Sequence, residues 1–336
     1  MPTAKHIRST VRRSCRRGLA RSRASLLATV LALCGGWPLR ADVIIDMTYI
    51  GNPGNAADDT GLGSVSYGYY IGTYEITVAQ YTEFLNAAAQ SDPYGLYDAG
   101  MVADPLGGPF IIQNGVDGNY TYTVVLGTEN QPVRWVSGFD AMRFCNWMAN
   151  GQGSSSTESG VYDMSLGDRV VRSTNATWVI PTVDEWYKAA YYSASNALYY
   201  NYPNGTDTEP TEPTDGTTPR EMNFGDLPFW QGSVAYTSTG ETTGQSPYGT
   251  FDQGGNVQEW TETFPDEDPQ GRIVKGGSAF HDASGLSANT FGSDIPPGSD
   301  DGAGGFRVVF LIPEPTTCLL FSLGIPFLAG LRRSWG

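Results

Sequence analysis

Histidine and cysteine are almost missing from this chain: 336 residues hold two of the first and four of the second. The scarcity is sharper than the count. His6, Cys15 and Cys34 fall in an Arg-rich leader and Cys318 in an apolar tail, which leaves His281 and Cys145 for everything between. One cysteine cannot close an intramolecular disulfide, even in an oxidising compartment. Nor can a thiolate pair or a cluster of imidazoles be assembled for copper or iron. Cys145 stands between Phe144 and Trp147 in an apolar helical stretch and reads as a packing thiol. His281, alone on a loop, reads as a surface or hydrogen-bonding residue.

Basic charge is the next absence. Nine of the 20 Lys and Arg residues lie in 1–41 and two in 312–336, so the stretch between sets 9 bases against 34 acids, a net charge of −25. Nucleic acids and other polyanions are repelled by such a surface, whereas divalent cations are not. No glycine loop followed by lysine is present to cradle a phosphate.

Long apolar runs are confined to the two ends. Arg12, Arg13, Arg16, Arg17, Arg21 and Arg23 precede the apolar residues 24–34, and Ala41 stands before Asp42. This is the layout of an export signal over 1–41, too short to stay as a membrane-spanning helix. At the other end, Ile312-Pro313-Glu314-Pro315 leads into the apolar run 316–331, closed by Arg332-Arg333. Such a run can lodge in a membrane with its arginines on the inner face. A permanent membrane anchor is the competing reading.

What is abundant is glycine, 42 residues, with 21 prolines and 40% hydrophobic residues, enough to fill one core under many loops. Apolar pieces such as Val43-Ile44-Ile45 and residues 67–74 read as short strands. Thr77 with Gln80, Ser137 with Asp140, and Thr182 with Glu185 have the spacing of helix capping boxes. Val78, Tyr81, Leu85 and Ala88 then recur at helical spacing, and a second helix is expected over 139–149. Residues 91–130 look like an elaborated surface with a hairpin over 116–126 around Asp117-Gly118-Asn119, and 150–175 and 201–220 look like loops. The expected class is α+β: one loop-rich domain over 42–311 with short helices and small antiparallel sheets.

The densest stretch is Asp252-Gln253-Gly254-Gly255-Asn256-Val257-Gln258-Glu259-Trp260. Its glycines permit turns closed to other residues, and Gly255, Val257 and Glu259 alternate as they would on one side of an extended segment. Carboxylates mixed with turned carbonyls suit a hard cation such as calcium. A solvated turn with two exposed acids is the other expectation.

Together with that stretch, Gly72-Thr73-Tyr74-Glu75-Ile76-Thr77, Gln131-Pro132-Val133, Cys145-Asn146-Trp147, Ile180-Pro181-Thr182-Val183-Asp184-Glu185-Trp186, Lys275-Gly276-Gly277-Ser278 and Gly305-Phe306-Arg307 occur in the order of a known family. The chain resembles the formylglycine-generating enzyme, or sulfatase-modifying factor, family. The resemblance implies the complex fold shared with C-type lectin-like domains. It also implies a copper site of two cysteines, three and eight residues past the serine matched by Ser278. Those positions hold His281 and Leu286. Leucine offers no donor, so copper and cysteine oxidation are not expected, and Ser278 and His281 are the residues left at the active-site positions. A multi-histidine iron site, as in related sulfoxide synthases, cannot be built from His281 alone. By residue matching, Asp252, Gly255, Val257 and Glu259 fall where the family places one structural calcium, with Gly255 and Val257 giving carbonyls. Asn223 and Phe224 match the start of a second.

The tail resembles a PEP-type sorting signal read by exosortase-type transpeptidases of Gram-negative-type bacteria. The expectation is therefore an exported protein of the cell surface or extracellular matrix, touching the membrane only transiently through its tail. Its work is that of a binding or scaffold module for a glycan or peptide. A formylglycine-generating oxidase with an unrecognised site and a purely structural matrix component are the alternatives.

Overall fold

Three side-chain hydroxyls set where the long helices begin. Thr77, Ser137 and Thr182 stand in extended conformation and accept from the backbone N–H three residues on, while Gln80, Asp140 and Glu185 reach back to the cap residue's own N–H. The boxes open Val78–Ala88, Gly138–Ala149 and Val183–Tyr191, satisfying donors that a helix start leaves without partners. Val78, Tyr81, Phe84 and Leu85 of the first helix are buried. The ring of Phe84 lies 5.4 Å from Phe144 and 5.3 Å from Trp147 of the second, and Phe144 lies 5.4 Å from Phe306. Cys145 is buried in the same cluster, as a packing thiol should be.

The computed structural model describes residues 42–210, 221–225, 236–265, 271–300 and 302–313. The described fold belongs to the unit that starts at Val43. The expected export signal, the sorting tail beyond Pro313 and the second half, 211–220, of the expected loop 201–220 lie outside the described residues. Among the described residues no helix is long and apolar enough to cross a membrane.

Two four-stranded sheets frame the domain. The first runs Met47–Ile50, Tyr69–Gly72, Val309–Leu311, Trp178–Val179, antiparallel throughout. Its register puts Ile71, Val309 and Val179 on the inner face, all fully buried, and aligns Tyr49, Tyr70, Phe310 and Trp178 on the outer one. The second runs Ser293–Ile295, Arg272–Lys275, Gln258–Trp260, Gly304–Gly305. Its last pair is parallel, a departure from the all-antiparallel expectation. Two small hairpins, Ile111–Asn114 with Thr121–Val124 and Tyr192–Ser193 with Leu198–Tyr199, complete the strands of the described residues.

Two expected elements shift. Val43-Ile44-Ile45 is not a strand: the Gln152 amide takes both backbone groups of Val43, at 2.6 and 3.0 Å, and pairing begins only at Met47. The hairpin arms are 111–114 and 121–124 rather than 116–126, because the tight part of the turn falls at Gly115 and Gly118, both with positive φ. Val116 and Leu126 are left largely exposed.

Candidate functional site

The stretch 252–260 is not a solvated turn. Asp252, Asn256, Val257 and Glu259 are at most 3% exposed. Asp252, Gly255 and Asn256 have positive φ, a conformation that costs a non-glycine residue free energy and persists only where the surroundings fix it. Strand pairing begins at Gln258, so Gly255, Val257 and Glu259 do not form the alternating row that their spacing suggests. The backbone bends at Asn256 and Val257 between Gly255 and the strand instead.

Glu259 is held by Arg307. Nε of Arg307 donates to Oε2 at 2.6 Å and Nη2 to Oε1 at 2.7 Å, while Trp186 Nε1 donates to Oε2 at 2.8 Å. The remaining Arg307 donors reach the carbonyls of Gly72 and Phe251 at 2.9 Å. Asp252 accepts from the Gly240 N–H at 2.6 Å and from Thr242 Oγ1 at 2.7 Å. Glu75 is the third acid of this buried group; among the described residues its Oε1 has no partner, and its Oε2 accepts from Asn256 Nδ2 at 3.5 Å. Burial, then the charges of Asp252 and Glu259, push the Glu75 carboxyl well above the usual range. Burial also raises Asp252, against the pull of its Gly240 and Thr242 hydrogen bonds.

The fit to calcium is divided. An excess of buried carboxylate over cation and an orphaned Glu75 oxygen favour a positive ion. Against it, both oxygens of Glu259 and both of Asp252 already accept hydrogen bonds, and among the described residues no three His, Cys, Asp or Glu side chains converge as a metal cage. Asn223 is drawn into the same locality: its Nδ2 donates to Asn256 Oδ1 at 3.1 Å, and its carbonyl accepts from the Asn256 N–H at 2.8 Å. Phe224 instead packs in an apolar cluster with Met222, Ala283 and Leu286.

The positions matched to the family's cysteines lie on the segment that follows Ser278. Ser278 Oγ and the Ser278 N–H stand 3.0 and 3.1 Å from His281 Nδ1. A backbone N–H can only donate, so Nδ1 is the acceptor and the neutral ring carries its proton on Nε2. Ser278 is fully buried. Leu286 ends the short 3₁₀ turn Ala283–Leu286 and is fully buried, its side chain among Met222 and Phe224. Cys145 is sealed in the core, and burial raises its thiol well above the usual range.

Beside His281 lies a cleft of about 280 Å³, lined by Gln258, Lys275, Asp282, Ser284, Thr290 and Ser293 among others. Lys275 is 2% exposed and its Nζ donates to the Thr290 carbonyl. Burial lowers its ammonium to about 8. Lys275, Arg307 and Glu75 were not singled out from the sequence, although each sits in one of the family-ordered blocks; nothing in local spacing marks a buried charge.

No curated protein matches this chain. Among solved structures, the chain is similar to CarF, with 18% identity over 80% of this chain and 99% of that one and a TM-score of 0.53. It is also similar to variable protein 1 of Treponema denticola, with 18% identity over 80% and 95% of the two chains and a TM-score of 0.48. PvdO from Pseudomonas aeruginosa shares 14% identity over 80% and 93%, with a TM-score of 0.43. At such identities the first likeness speaks for the fold alone. The model of the sulfatase-modifying factor enzyme 1-like domain matches residues 55–312, which take in both sheets' inner strands, the buried acid group and the cleft. The chain belongs to that family.

Proposed function

We propose that this sulfatase-modifying-factor domain is a non-catalytic binding module of an exported, surface-sorted protein. One observation carries the reading: at the two positions where the resemblance places copper-binding cysteines stand His281 and a Leu286 whose side chain is packed among Met222 and Phe224. The mature stretch's one cysteine, Cys145, lies in the core and cannot substitute for them. The polar cleft beside His281 and the outward row of Tyr49, Tyr70, Phe310 and Trp178 support a role in holding a glycan or peptide. Calcium enters as a structural ion, with Asp252 and the carbonyls of Gly255 and Val257 as its donors and the excess of buried carboxylate as its support. The sorting of the tail by an exosortase-type enzyme rests on the sequence resemblance of 312–336.

The test supplies copper(I), oxygen and a cysteine-bearing sulfatase peptide to the purified protein and follows the peptide by mass spectrometry. An unchanged thiol and no stoichiometric copper are expected. Conversion of the cysteine to an aldehyde would restore the oxidase reading.

A further inference from the structure

Lys275 lies in the strand Arg272–Lys275, directly opposite Glu259 of the neighbouring strand. A cross-strand acid is the natural partner of a lysine. Here the acid is already engaged by Arg307 and by the indole of Trp186, and the Lys275 ammonium lies 5.9 Å from the centre of that indole ring. No ion pair reaches Lys275: the paired acids of the described residues, Asp104, Asp140, Glu158, Glu185, Glu262 and Glu259, all serve arginines. The ammonium donates to the Thr290 carbonyl and lies 5.6 Å from the centre of the Tyr187 ring, and Lys275, 2% exposed, is one of the residues that line the cleft. A buried charge without a counter-charge is costly, and a site that supplies one from outside recovers that cost on binding.

His281 adds a second donor to the same cleft. Its Nδ1 accepts from Ser278, which leaves the Nε2–H with no protein acceptor among the described residues, and His281 lines both this cleft and the neighbouring cavity of Phe224 and Phe280. Asp282, the acid among the lining residues, is exposed at the mouth, and its Oδ1 accepts from the Ser284 N–H at 3.0 Å and from Ser284 Oγ at 2.5 Å. Water screens such a rim charge far more than the ammonium within. Gln258, Ser284, Thr290 and Ser293 supply amide and hydroxyl groups around the rest of the wall.

Resting on the binding-module reading above, we infer that this cleft takes a small hydroxylated organic acid, its carboxylate set against the Lys275 ammonium and the His281 Nε2–H. The volume, about 280 Å³, is at the small end for ligand sites and suits a single sugar acid rather than a polymer. Charge-assisted hydrogen bonds are the stronger kind, and the carboxylate is the part of the ligand that meets them.

The experiment titrates the full chain at pH 7 with gluconate and, separately, with gluconamide, which has the same carbon skeleton and hydroxyls without the charge. Binding is followed by calorimetry and by the imidazole resonances of His281, one of two histidines in the chain. Saturable shifts of His281 with gluconate, and about 10- to 100-fold weaker binding of gluconamide, are expected. Lys275→Met should weaken gluconate to the level of gluconamide. Equal affinities for the two compounds, or no response of His281 to gluconate, would overturn the inference; both readings use the wild-type protein, so they stand even where Lys275→Met fails to fold. The outcome is separable from the test of the module reading. Thiol oxidation by copper would end that reading with gluconate binding intact, and silence toward gluconate would leave it in place.

Discussion

Arg307 and Glu259 meet side by side, two parallel N–H···O bonds of 2.6 and 2.7 Å between fully buried groups. The pair joins the turn 252–260 to the segment that leads into the closing strand, and through the Gly72 and Phe251 carbonyls it fixes two further segments. Arg307 is also the cation that faces Glu75 and Asp252, and its own proton is held more tightly by these acids, above all by Glu259.

Removing that cation should be severe. Arg307→Met leaves Glu259 uncompensated in the core, and a loss of about 3–5 kcal/mol is expected, read by urea denaturation. A loss below about 1 kcal/mol would mean that the acids are neutral or paired elsewhere.

Calcium gives a second measurement. Elemental analysis of protein purified without chelator should find calcium in the wild type and not in Asp252→Ala, with thermal stability falling on chelation. Equal metal content in both would remove Asp252 from the donor set.

Lys275 predicts a stability change with an uncommon sign. Its folded value, about 8, lies below the ordinary 10.5, so between those values the unfolded chain binds the proton and the folded one does not. Stability therefore rises with pH across that window, by at most about 3 kcal/mol. Comparing wild type with Lys275→Met from pH 7 to 10.5 isolates the effect; parallel curves would contradict it.

How much of this could be read in the sequence follows from what is local. The three capping boxes need only residues three apart, and all three form. Leu286 and Cys145 were legible as missing donors because chemistry, not geometry, excludes them. The pairing of Glu259 with Arg307 spans 48 residues, and the positive φ of Asp252 and Asn256 depends on what packs around them. Neither leaves a periodic trace. Spacing alone therefore suggested an extended row of donors where the chain bends.

Trp135 offers a packing test. Its ring fills the place a Cβ on Gly100 would need, with ring carbons 2.2 and 2.5 Å from it, and it also crowds Gly302. Gly100→Ala should cost about 1–3 kcal/mol through displacement of the indole. A smaller loss, with unchanged tryptophan fluorescence, would show that the ring can move aside.

In the first sheet the last strand, Val309–Leu311, is inserted between Tyr69–Gly72 and Trp178–Val179 rather than added at an edge. Both neighbours wait, unpaired on that side, until the final residues of the domain arrive. Synthesis or translocation must thus deliver Val309–Leu311 before the first sheet can close, through contacts that span more than 230 residues. Closure of the sheet in this sense depends on that late segment: a chain halted before Val309 leaves two strand flanks open, and one that includes Leu311 can cover both with the same strand.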